Sequence, residues 1–145
     1  MSDKWTGRFI ALAEHIAGWS KDPSTKVGAV LVSPDRSRIV HGYNGFPRGV
    51  GDAEERYNNR DQKYKLTVHA ELNAILNAGE RLTGWTLYVT PLPPCNECAK
   101  AIIQAGIKTV VFQADALDPR LDAWREPWTV SMKMFDEAGV KVIHV

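Results

Sequence analysis

The sequence predicts an α/β fold, a mixed sheet covered on its faces by helices. Three observations lead there. Segments of helical period alternate with short β-branched runs through the second half of the chain, the pattern of strands joined across helices. Near the start, two such runs are joined by a short connection, which indicates a hairpin and hence an antiparallel pair. The 145 residues, 44% hydrophobic and 24% charged, suit one domain over residues 1–145 whose core needs no disulfides.

Residues 5–19 place Phe9, Leu12, Ala13 and Ile16 at helical spacing, and Lys21-Asp22-Pro23-Ser24 breaks that helix. Residues 27–32 (VGAVLV) read as a buried strand and residues 39–43 as a second, joined by a connection that begins Ser33-Pro34-Asp35. Residues 44–66 carry three glycines, a proline and many charges, so an irregular loop is expected there, and loops of that length are often functional. Residues 70–78 (AELNAILNA) return to helical spacing, and Gly79 stops them. Residues 85–90 are a strand, 91–94 a rigid proline connection, and 95–105 a helix closed by Gly106. Residues 109–113 are a strand, and 114–128 a polar connection. Residues 131–138 form a helix stopped by Gly139, and 140–145 a last strand. The expected order is therefore α-β-β-α-β-α-β-α-β.

Bulk properties narrow the function classes. A net charge of +1 lacks the basic excess of a nucleic-acid binder, so no polymer partner is expected. Met1 to Gly7 is polar, unlike a secretory signal, and no apolar run is long enough to span a bilayer. The expectation is a cytoplasmic protein without a membrane partner. The two cysteines, Cys95 and Cys98, are then metal-binding or redox-active rather than structural.

The chemistry lies in His69-Ala70-Glu71 and Pro94-Cys95-Asn96-Glu97-Cys98, each opening an expected helix. Two cysteines two residues apart at a helix start can face one ion, and the positive helix end favours their thiolates. His69 is a third ligand. With the cysteines used up, a site of three or four cysteines is excluded, while a second histidine could still close a Cys2His2 site. His15 reads as a surface or packing residue, His41 as a satisfied core histidine, and His144 carries no signal. Glu71, two residues from His69, is placed to move the proton of a zinc-activated water, and H-x-E followed by P-C-x-x-C is the signature of zinc nucleobase deaminases. A C-x-x-C alone fits a redox pair or a structural clip equally well, and neither requires Glu71.

Four segments resemble the deoxycytidylate (dCMP) deaminases of the cytidine deaminase superfamily: SKDPSTKVGA (20–29), GYNGFPRG (42–49), HAELNAI (69–75) and PCNECAK (94–100). The zinc motif is common to the superfamily, whereas GYNGFPRG and HAELNAI are more specific to the deoxycytidylate branch. The resemblance implies a three-layer α/β/α sandwich on a five-stranded mixed sheet. It implies hydrolysis of dCMP to dUMP and ammonia, supplying thymidylate synthesis, with one catalytic Zn2+ on His69, Cys95 and Cys98. It places Asn44 against the deoxyribose and Ala70 beside the substrate. It further implies a homo-oligomer, often a hexamer, activated by dCTP and inhibited by dTTP, with the regulatory nucleotide at Gly42, Asn44, Gly45, Phe46 and Gly49. Some members carry a second zinc on extra cysteines, for which this chain has none left. No motif fixes the phosphate ligands, and Lys26, Arg48, Arg56 and Arg60 are candidates by charge alone. Other substrates fit the same zinc motif: dCTP, cytidine, a modified dCMP or an adenosine in tRNA.

Overall fold

The computed structural model describes residues 3–145. Helix α1 (Lys4–Ala17) starts where the Asp3 carboxylate accepts the Thr6 N–H at 2.8 Å, an N-cap. Strands β1 (Gly28–Val32) and β2 (Ile39–Tyr43) form the expected hairpin, with Val30 opposite His41. Strands β3 (Thr86–Thr90), β4 (Thr109–Phe112) and β5 (Lys141–His144) complete one five-stranded sheet of order β2-β1-β3-β4-β5. β1 is antiparallel to both neighbours, whereas β3, β4 and β5 run parallel.

Strand alternation divides the core in two. Val30, Val32, Tyr88 and Val111 meet Phe9, Ile10 and Ala13 of α1 on one face. Ala29, Leu31, Leu87, Val89, Val110 and Phe112 point the other way, onto α4 (Ala70–Ala78), α5 (Asn96–Ala105) and α7 (Arg125–Ala138). The result is the three-layer α/β/α sandwich that the resemblance implied. Left-handed glycines end α4, α5 and α7 at Gly79, Gly106 and Gly139, where the sequence placed its stops.

Two stretches differ from expectation. Residues 44–66 are not an irregular loop throughout: α2 (Glu54–Asn58) and α3 (Arg60–Leu66) lie within them. Helices of five and seven residues are too short to hold by propensity, and their charges hide any apolar face. Each is pinned by one buried side chain. Tyr57 of α2 stacks on Phe46 with ring centroids 4.2 Å apart, and Lys63 of α3 pairs with Asp22. Residues 114–128 contain α6 (Pro119–Ala123), and α7 begins at Arg125 rather than at 131. Asp118 caps α6 with Pro119 at its first position, a helix start signal that the sequence carries.

β2 is an edge strand, and Ile39, His41 and Tyr43 stand exposed on it. The expectation of a core histidine at His41 is therefore corrected: its ring meets the exposed Trp19 edge-on at 5.5 Å. The Asn73 and Asn77 side-chain amides of α4 donate to the Tyr43 and His41 carbonyls at 2.8 and 2.9 Å. Those bonds occupy backbone acceptors that an edge strand otherwise leaves for another chain. No helix among the described residues is long and apolar enough to cross a membrane.

The seating of α4 on β2 requires Gly42. A Cβ there would stand 2.4 Å from the Ala74 amide nitrogen and 2.5 Å from the Ala70 carbonyl oxygen. Gly42→Ala is expected to cost at least about 2 kcal/mol, since backbone on both sides must move. Gly7, on the open face of α1 with nothing near its missing Cβ, is the control: Gly7→Ala should gain about 0.5–1 kcal/mol by helix propensity. Urea unfolding of the two variants checks both signs.

Candidate active site

His69 and Cys95 occupy the same place on two neighbouring helices, the N-cap, of α4 and α5 respectively. Both have extended backbone, and neither uses its side chain to cap its helix. Cys95 thus precedes α5 rather than opening it, and Cys98 lies one turn on, buried. The two side chains are left to reach across the gap between the helices. The His69 Nδ1 atom lies 3.3 Å from Cys95 Sγ and 3.4 Å from Cys98 Sγ, and the three donor atoms all fall within 4.8 Å of one another.

The protein groups polarise one another strongly. The Cys98 thiol, hydrogen-bonded to Cys95, helps hold the Cys95 thiol down at about 4, a thiolate at neutral pH. The same contact and burial push Cys98 well up, so that it keeps its proton. The hydrogen bond to Cys95 raises His69 to about 9, against the effect of its own burial. Glu71 is 4% exposed, and burial lifts its carboxyl to about 7 although the neighbouring His69 pulls it down.

His69, Glu71 and Cys95 border one cavity of about 500 Å³, within the size range of small-molecule sites. Its walls come from the 22–27 loop, α3, the start of α4, the Leu92-Pro93 turn and the α6–α7 corner. His69, Ala70, Glu71, Cys95 and Asn44 all line it, so the structure brings together the residues the sequence placed at the reaction centre. Asn44 is buried, and its Oδ1 accepts the Val27 N–H at 2.8 Å while its Nδ2 donates to the Thr25 carbonyl at 2.9 Å.

The other expected regulatory positions lie elsewhere. Gly42 is buried under α4, and Gly45 exchanges two backbone hydrogen bonds with Val68 at the approach to His69. Phe46 is stacked on Tyr57, and Gly49 is exposed in a turn. Of the four phosphate candidates only Arg60 lines the cavity. Lys26 donates to the Ser20 carbonyl, Arg48 to Asn77 and Arg56 to the Gly51 carbonyl.

Sequence reasoning missed the far wall of the cavity. The Lys63 ammonium reaches Asp22 at 3.1 Å with both side chains under a tenth exposed, and both line the cavity. Asp22 Oδ1 also accepts the N–H groups of Ser24 and Thr25 at 2.8 and 3.1 Å, fixing the loop between α1 and β1. Tyr64 and Trp124 line the cavity and meet edge-on at 6.1 Å. Asp22 was legible as a helix breaker and as part of the SKDPSTKVGA segment, and Lys63 only as one charge in a polar run.

Residues 3–114 match the family model for the cytidine and deoxycytidylate deaminase zinc-binding region. An uncharacterized deaminase in the luxG 3' region of Aliivibrio fischeri is 45% identical over 142 residues, covering 98% of this chain and 94% of that one. The deoxycytidylate deaminase of Homo sapiens is 41% identical over 143 residues, covering 94% of this chain and 77% of its own. Among solved structures, the dCMP deaminase of cyanophage S-TIM5 in complex with dCMP and dUMP superposes with a TM-score of 0.76. It is 26% identical, with 100% of this chain and 99% of that chain covered.

The donor set fits a zinc ion. Tetrahedral zinc with nitrogen at about 2.0 Å and sulfur at about 2.3 Å sets those donors about 3.5 Å apart, close to the spacings above. Among the described residues no second histidine joins the cluster: His144 bonds the Ala114 carbonyl, and His15 and His41 flank Trp19. Of the two arrangements the sequence allowed, the geometry is that of three protein ligands and an open fourth position, which is catalytic rather than structural. The purified protein is expected to hold one zinc by atomic absorption. Cys98→Ser and His69→Ala should each weaken zinc binding by at least about 100-fold, read by competition with a chromogenic chelator.

Proposed function

The chain belongs to the cytidine and deoxycytidylate deaminase family, and from that we propose that it hydrolyses dCMP to dUMP and ammonia. The observation that carries the reading is the buried Glu71 carboxyl in the same cavity as His69 and Cys95, two members of the His69, Cys95 and Cys98 donor cluster. Similarity along nearly the whole chain to the human deoxycytidylate deaminase, and to a phage enzyme crystallised with dCMP and dUMP, supports the choice of substrate.

Each residue has a role. His69, Cys95 and Cys98 hold the zinc, which when bound supplies a Lewis acid that makes water nucleophilic near neutral pH. Glu71 takes a proton from the attacking water and delivers it to N3 of the cytosine ring as C4 is attacked. It then carries a second proton to the departing amine, so that dCMP and water become dUMP and ammonia. A carboxyl lifted towards neutrality by burial suits both transfers, because the group must gain and lose a proton with comparable ease. Ala70 borders the substrate with no side chain beyond a methyl group. Asn44 keeps one lone pair and one N–H beyond its two backbone bonds, enough to bind a sugar hydroxyl.

The same reading extends to a cytoplasmic homo-oligomer, activated by dCTP and inhibited by dTTP. Its regulatory nucleotide is assigned to the 42–49 segment, where Gly45, Phe46 and Gly49 are the positions outside the α4 contact.

Glu71→Gln should lower kcat for dCMP by about 10²–10⁴-fold while zinc content stays at the wild-type level; full activity in that variant would remove the mechanism. Ammonia release measured across dCMP, dCTP, cytidine and deoxycytidine should be fastest with dCMP. Turnover of the nucleoside without the monophosphate would overturn the substrate assignment.

A further inference from the structure

We propose that Arg60 is the residue that selects a 5'-monophosphate, binding the phosphate of the substrate at the α3 wall of the cavity. The inference rests on the dCMP reading and adds to it the residue that separates nucleotide from nucleoside.

A pyrimidine nucleoside monophosphate has its reacting atom at one end and its dianion at the other. With C4 of the base held at the His69, Cys95 and Glu71 end, the phosphate must meet the cavity away from the metal ligands. Arg60, Lys63 and Arg120 are the cationic side chains that line the cavity beyond His69. Two of them already have anions. Lys63 is paired with Asp22 in a nearly dry contact. Arg120 is held by both carboxylate oxygens of Asp118, through Nε at 3.0 and 3.1 Å. Arg60 has no carboxylate partner among the described residues. The acidic neighbour on its own helix, Asp61, is taken by Lys65 at 3.1 Å.

Arg60 is also positioned. Its guanidinium lies 5.3 Å from the centre of the Tyr64 ring, a cation–π contact that favours one direction of the side chain. Lys63 flanks the same ring at 5.7 Å, so two cations and an aromatic face share one stretch of wall. Tyr64 in turn meets Trp124 from the α6–α7 corner. A guanidinium is suited to this role because its planar fork binds two phosphate oxygens at once and it stays charged at any working pH. Arg60, the one cation at the cavity wall without a carboxylate partner among the described residues, then supplies affinity for the dianion that an uncharged nucleoside cannot use.

The test is steady-state kinetics of the zinc-loaded full chain with dCMP and with deoxycytidine. For Arg60→Gln, KM for dCMP should rise roughly 10- to 100-fold, the value of a charge-assisted contact, with kcat little changed. The kcat/KM for deoxycytidine should stay at the wild-type level, and Arg60→Lys should recover part of the loss. The proposal is overturned if Arg60→Gln keeps the wild-type ratio of dCMP to deoxycytidine. It is equally overturned if both substrates suffer alike, which would mark a structural role, or if Arg120→Gln rather than Arg60→Gln collapses the ratio. A wild-type enzyme with no preference for dCMP over deoxycytidine is a separate result, and it removes the dCMP reading itself.

Discussion

Helix α4 rests on β2 so closely that only a glycine fits between them. The backbones of Ala70 and Ala74 occupy the space a Cβ on Gly42 would need. On the opposite face of the sheet Gly28 plays the same part for α1, where a Cβ would stand 1.9 Å from the Ala13 carbonyl oxygen. These contacts set how far each helix can approach the sheet, and the site depends on the first of them. His69 and Glu71 ride on the start of α4, while the cysteines ride on the start of α5. Three donor atoms can gather within one coordination sphere only when the two helix starts are fixed to a few tenths of an ångström, and close-packed backbone fixes them better than flexible side chains could.

The reactive end of the cavity and its specificity end are built differently. The reactive end consists of short side chains on rigid helix starts, where hydrogen bonds among Cys95, Cys98 and His69, and burial at Glu71, shift these groups far from their ordinary protonation behaviour. The other end is made by connecting segments, which need ties of their own. The Asp22–Lys63 pair joins the loop after α1 to α3, and Asp22 satisfies two further N–H groups of its loop. A buried ion pair adds little net stability, because desolvation offsets much of the attraction. It does specify one arrangement, since separating the partners would leave each charge buried alone.

That division explains what could be read in advance. Helical periods in residues 5–19, 70–78 and 95–105 come from burying one face, and the apolar runs at 27–32 and 85–90 from burying both, so the sheet and its large helices were legible. The helices α2 and α3 were not, because each is five to seven residues long and is anchored by a contact from elsewhere in the chain, Tyr57 to Phe46 and Lys63 to Asp22, while α6 is five residues with no buried side chain to give it a period. The exposure of His41 was hidden for a related reason. A strand's period shows which residues share a face, whereas a strand's place at the sheet edge depends on its neighbours.

By itself the sequence determined the fold class, the three residues of the metal cluster and the Glu71 carboxyl beside them. It could do so because those residues and Glu71 sit at fixed offsets within two short segments, and local geometry alone puts each pair on one helix start. Only the tertiary structure decided that the two helix starts meet with a single histidine, that Asn44 reaches the cavity, and that Arg60 rather than Lys26, Arg48 or Arg56 faces it. Those outcomes depend on contacts between residues distant along the chain, and composition records a charge without recording its partner.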